Sequence, residues 1–213
     1  MKKPLLLSLA ALTMLGSLIS GCKKDKDEPI VATPAPTLID MNYRLTGTFG
    51  TDSVNMVVAG AQGASIQHGS NDRVINADTS SRTYQMSMSS NTGREQLIIE
   101  KGTLEFLKAS GLPASTVMTY FRKGSYPYLS PGSDDYSDGI AMTFVDKSGE
   151  IWRSNDGFQS TGTFTITDVV SKSEFSKPGA KIKAEINATF YSPDGTRTKQ
   201  MNTEIITIFI DPR

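Results

Sequence analysis

Alternation with a period of two is the feature that most constrains this chain. Lys181 to Tyr191 places Ile182, Ala184, Ile186, Ala188 and Phe190 on one face. Successive side chains of a strand point to opposite faces, so such a run is a half-buried strand and not an amphipathic helix. The pattern recurs. Tyr43, Leu45, Gly47 and Phe49 alternate with Arg44, Thr46 and Thr48, and Tyr84, Met86 and Met88 alternate with Gln85, Ser87 and Ser89. Val54 to Ala59, Gln96 to Phe106, Ile140 to Val145, Glu150 to Arg153, Thr163 to Thr167 and Met201 to Ile210 are further strand candidates. Gly102 inside one of them predicts a bulge. Asp146-Lys147-Ser148-Gly149 and Ser192-Pro193-Asp194-Gly195 predict tight turns, since Pro presets φ and Gly accepts positive φ.

Only one helix is expected, Ser115 to Lys123, with Val117, Met118 and Phe121 on one face and Gly124 ending it. Thr103 to Ser110 fits the end of a strand or a helical turn equally well. No repeat of fixed period is visible. Many short strands with one helix predict an all-β fold: an antiparallel β-sandwich or a partly open barrel, formed by residues 37–213 as a single domain.

The N-terminus follows a different logic. Met1-Lys2-Lys3 is basic, and Pro4 to Ile19 is apolar apart from Ser8, Thr13, Gly16 and Ser17. That run is shorter than the roughly 20 apolar residues a spanning helix needs, and it reads as a targeting segment. It ends in Ile19-Ser20-Gly21-Cys22, and Cys22 is the only cysteine in the chain. This resembles the bacterial lipobox. The resemblance implies a signal peptide over residues 1–21, cleavage within Ile19, Ser20, Gly21 and Cys22, and acyl chains on Cys22. It implies a membrane attachment through the N-terminal lipid, in which each buried CH₂ contributes about 0.8 kcal/mol. A lone Cys can form no intrachain disulfide, and acylation would remove a loose thiol from an oxidising compartment.

Residues 22–36 then carry mixed charge followed by Pro29, Pro34 and Pro36, a composition that builds no core and reads as a solvated tether. Lys26-Asp27-Glu28 resembles the surface-export signal of Bacteroidota lipoproteins, a few residues further along than usual. The residue after Cys22 is Lys23 and not Asp, so the retention signal of enteric inner-membrane lipoproteins is absent, and an outer-membrane location is expected. From Met41 onward the order of strands, with Tyr126-Pro127-Tyr128, Trp152 and Gly162-Thr163-Phe164-Thr165-Ile166, resembles the small β-sandwich lipoproteins common in Bacteroidota. The closing strand departs from that pattern, carrying Asn202-Thr203-Glu204 and Ile208-Phe209-Ile210. That likeness implies no catalytic residues.

Charge excludes one class of partner. Without Lys2 and Lys3, the balanced 22 basic and 22 acidic residues become a slight acidic excess, so no basic surface for nucleic acid is expected. His68 is the only histidine, so any Ser-His-Asp relay would have to use it. It lies in Ile66-Gln67-His68-Gly69-Ser70, outside any nucleophile-elbow pattern, and reads as a surface histidine at a strand end. One histidine and a lipidated cysteine make a poor zinc set. Asp134 and Asp138 beside Gly139 are a weak calcium candidate, because Tyr136 and Val145 occupy positions where an EF-hand loop carries ligands. No metal or other cofactor is therefore expected.

Tyr126, Tyr128 and Tyr136 are candidates for stacking on a glycan or an envelope protein partner. Asp138, Asp146, Glu150 and Asp156 are the carboxylates an envelope hydrolase would draw on, but they fall in turns, which favour Asp for backbone reasons. No Gly-rich phosphate loop is present. Asp52-Ser53-Val54 and Asn187-Ala188-Thr189 match short glycosylation patterns that recur by chance. The chain is thus expected to be a non-enzymatic, lipid-anchored lipoprotein with a structural or ligand-binding role. The alternatives are a glycan-binding accessory protein and an envelope hydrolase.

Overall fold

The computed structural model describes residues 37–59, 63–110, 112, 114–129, 139–155 and 160–211. In order, these form Arg44–Phe49 (β1), Asp52–Val57 (β2), Ser65–Val74 (β3), Thr79–Ser89 (β4), Gln96–Leu107 (β5), Ala114–Tyr120 (α1), Gly124–Tyr126 (β6), Ile140–Val145 (β7), Ile151–Arg153 (β8), Gly162–Ser171 (β9), Gly179–Tyr191 (β10) and Thr198–Ile210 (β11). All pairings between these strands are antiparallel, and the sheet order is β2-β1-β11-β10-β8-β7-β5-β4-β3, with β9 on β10 and β6 on β9. The sheet curls into a half-barrel. The all-β expectation therefore holds in its partly open form, as one continuous sheet and not two separate layers.

Local chemistry explains the curl. β10 and β11 pair over 13 residues each, roughly 43 Å of strand, and right-handed twist accumulates over such a length. One edge of β10 is shared: β9 takes Gly162 to Ser171 along it, and β8 takes only its end, Tyr191 opposite Arg153. The sheet can thus branch without breaking. Register shifts at Lys183/Ala184 and at Thr83/Tyr84 add bends. The second is the bulge expected at Gly102: Thr83 faces Thr103, Tyr84 faces Lys101, and Gly102 is the extra residue. Gly47 (φ +148°) lets β1 lie close on β11, since a Cβ there would stand 2.2 Å from the Asn202 carbonyl oxygen.

The inward faces fill the curl. Ile182, Ala184, Ile186, Ala188 and Phe190 are all buried, as the alternation requires. Phe49 sits among Phe144, Phe190 and Trp152, with ring centroids 4.6, 5.6 and 5.7 Å away. α1 covers the core from the side, and just beyond its end Phe121 stacks on Phe209 at 4.4 Å and meets Tyr84 edge-on at 5.4 Å. The helix stops before the expected Lys123, because Gly124–Tyr126 is taken up as a strand against β9. The ambiguous segment Thr103 to Ser110 is strand as far as Leu107.

The half-barrel has two unlike ends. The turns β1–β2, β4–β5, β7–β8 and β10–β11 gather at one. There Lys199 reaches Asp146 (3.0 Å), Lys147 donates to the Ser53 carbonyl (3.1 Å), and Arg197 pairs with Glu150. At the other end the described chain enters at Thr37, β11 finishes, and the β3–β4 and β9–β10 turns lie. Buried Arg82 ties this entry end, with a bidentate pair to Asp72 (2.6 and 2.7 Å) and a bond to Asp211 (2.8 Å). The Asp211 amide donates to the Pro178 carbonyl (2.8 Å). Buried Lys181 donates to the carbonyls of Ile39 (3.0 Å) and Met41, with the Tyr43 ring 4.8 Å from its amine.

Candidate functional site

Several expected site residues lie outside the described residues: Ile19, Ser20, Gly21 and Cys22, the export-signal residues Lys26, Asp27 and Glu28, and Asp134, Tyr136 and Asp138. No described helix is long and apolar enough to cross a membrane.

Tyr126 and Tyr128 correct an expectation. Two residues apart, they share a face, and that face points inward: they are 4 % and 3 % exposed. The Tyr126 hydroxyl donates to the Arg122 carbonyl (2.6 Å) and the Tyr128 hydroxyl to the Asn187 carbonyl (2.9 Å). Burial pushes the Tyr128 phenol above its ordinary range. Neither ring is a platform for a sugar. Tyr126 and Tyr120 instead enclose the buried amine of Lys101, whose Nζ lies 4.2 and 4.0 Å from their ring centroids. The sequence signal for this was Lys101 itself, a charge at an inward strand position beside the Gly102 bulge.

His68 is placed differently from the expected surface strand end. It lies within β3, half-buried, with its ring hydrogen-bonded to the Ile208 backbone of β11. Burial pushes its pKa below 6.5, against the raising effects of that bond and of nearby Glu174. Its Nδ1 is buried without a hydrogen-bond partner. The ring borders a depression of about 480 Å³ formed by Ile66, Gln67, Gly69, Phe175, Lys177 and Ile210. Among the described residues that lining is mostly apolar and contains no carboxylate, serine or cysteine.

The described turn carboxylates are engaged in holding strands together. Burial alone would raise the Asp146 pKa, but bonds from Ser148, Lys199 and Trp152 and from the Glu150 amide outweigh it and hold the carboxyl well below 3.8. An acid so firmly ionised cannot donate a proton in hydrolysis. Asp138 and Asp156 lie outside the described residues. No group of three or more His, Cys, Asp or Glu side chains able to hold a metal ion occurs among the described residues.

A second depression, about 410 Å³, runs over the outer face of β1, β9, β10 and β11, lined by Thr46, Thr163, Thr165, Glu185, Asn202 and Glu204 among others. Glu185 stands opposite Glu204 in register. Like charges so placed repel, and Lys183 (2.8 Å) and Arg44 (2.7 Å) relieve this by pairing with Glu204, holding its pKa below the usual value. Sequence reasoning did not single out this groove, because its residues are the unremarked polar half of four alternating strands.

Comparison with protein-family models, curated proteins and solved structures returns no match to the chain.

Proposed function

We propose that this protein is a lipid-anchored lipoprotein of the outer bacterial envelope, held by acyl groups on Cys22, and that its half-barrel serves a structural or binding role without catalysis. The observation that carries the reading is Ile19-Ser20-Gly21-Cys22 at the end of a basic and then apolar leader, followed by a charged and proline-spaced stretch. The polar groups of the fold are consistent with it. Asp146, Glu150 and Glu204 are committed to ion pairs that join strands, and His68 is a neutral ring in an apolar depression. The glycan-stacking alternative loses Tyr126 and Tyr128, which are buried.

The test is metabolic labelling with palmitate and detergent phase partitioning of the wild type and Cys22→Ser. The wild type should carry label and enter the detergent phase. The variant should do neither, while thermal melting of its folded domain is unchanged. Label on the Ser variant would refute the assignment.

A further inference from the structure

Large apolar side chains exposed on this fold are not scattered. Six stand out among the described residues: Ile39, Val74, Ile75, Leu107, Ile151 and Phe175. All but Ile151 belong to the entry end. Ile39 precedes β1, and its carbonyl is held by Lys181 near the start of β10. Phe175 tips the β9–β10 turn. Val74 ends β3 opposite Ser80 and Ile75 opens the β3–β4 turn, just beyond the Asp72–Arg82–Asp211 tie, and Leu107 pairs with Thr79 beside it. The opposite end exposes Thr51, Lys147, Asp194 and Thr196.

Phe175 is 84 % exposed, Val74 65 % and Leu107 60 %. Phe175 also holds a conformation that disfavours it. Glu174 and Lys177 exchange two backbone bonds (2.9 and 3.0 Å) around Phe175 at φ 51° and Ser176 at φ 62°. Such a turn ordinarily carries Asn or Gly at both central positions, and a bulky residue at positive φ is an outlier. Here a strained backbone presents a phenyl ring to the outside, which points to a role for the ring.

The length of chain beyond this end selects the occupant. About fifteen residues separate Cys22 from Thr37, a reach of at most about 50 Å. The chain outside the described residues joins the domain at Thr37, on the entry end, so a domain held by Cys22 meets the bilayer most readily with that end. Charges of both signs are exposed there, Arg73 and Lys108 with Asp40, Asp78 and Glu105, so attraction to anionic headgroups is not the driving term. Apolar burial in the interfacial region is.

We propose that the entry end of the half-barrel, through Val74, Ile75, Leu107 and Phe175, seats in the interface of the bilayer that holds the anchor. The domain would then stand upright with its opposite end directed away from the membrane. This rests on the lipid-anchor reading above.

The experiment uses the full-length acylated protein in phosphatidylcholine and phosphatidylethanolamine vesicles. An environment-sensitive dye is attached at Val74→Cys, Leu107→Cys or Phe175→Cys, with Thr51→Cys and Thr196→Cys as opposite-end controls. The acylated Cys22 sulfur is a thioether and takes no dye. Quenching by lipids brominated high on the acyl chain should be at least threefold stronger at the three entry-end positions, and unaffected by salt. In a Val74→Ser, Leu107→Ser, Phe175→Ser variant, dye at Ser173→Cys should lose its quenching while the melting temperature holds. Equal or absent quenching at both ends, in protein that carries palmitate, would overturn the proposal and leave the anchor standing. So would crosslinks at these positions to a second copy or another protein in place of quenching. Protein without palmitate that stays out of the detergent phase would overturn both.

Discussion

At the residue scale, the turn at Phe175 and Ser176 is the clearest case of a side chain placed against local preference. Two consecutive non-glycine residues at φ 51° and 62° make the backbone less stable than the turn chemistry allows. Phe175→Asn with Ser176→Gly should therefore stabilise the fold by about 1 kcal/mol, read as a higher urea midpoint at constant slope. Little packing is lost, because the Phe175 ring is almost wholly outside. A loss of stability would show that the ring is held by contacts, and the strain argument would fall. His68 shows the reverse relation: its environment suits a neutral imidazole, with a bare buried Nδ1, and the residue follows its surroundings. Tyr126 and Tyr128 teach the limit of reading aromatics from sequence. Their two-residue spacing gives a shared face, but a tyrosine is amphipathic enough to suit either side of a sheet. The buried amine of Lys101, remote in sequence, lies against that face.

At the scale of elements, β10 was legible because alternation over a long run admits no other periodicity, β11 because a run rich in Ile and Thr follows a strong turn signal, and the bulge at Gly102 because a glycine interrupts its strand. β3 was not. Its sequence, Ser-Ile-Gln-His-Gly-Ser-Asn-Asp-Arg-Val, has no apolar alternation. It is an edge strand, held by pairing to β4 on one side and by the bidentate Arg82–Asp72 pair. β6 has three residues, too few for any period. The β7–β8 turn was recognised from its residues, but not the task of Asp146, whose carboxylate collects Ser148, the Glu150 amide, Trp152 (3.0 Å) and Lys199 (3.0 Å) and so ties β7, β8 and β11. Its folded pKa lies below the unfolded value of 3.8. The stabilisation is therefore complete above about pH 4 and is lost as pH falls toward the folded value. Asp146→Asn keeps the shape and removes the charge. It should cost about 2 kcal/mol at pH 7, and the difference from wild type should shrink as urea titrations are taken from pH 4 to pH 2. A constant difference over that range would assign the loss to packing.

At the scale of the whole molecule, the way the chain enters the fold decides how it bears load. β1 runs from the entry end between β2 and β11, so a pull on the tether draws it lengthwise. Its two ladders are strained in shear, all bonds at once, and cannot unzip one by one. Lys181 shares the strain at the first carbonyls, passing it from Ile39 and Met41 into β10. Lys181→Met should lower the rupture force when a single molecule is stretched from its N-terminus, and leave it unchanged for handles at Thr51 and Thr196. On the lipid-anchor reading proposed above, a domain hung from its N-terminal side would meet drag with both β1 ladders loaded in shear.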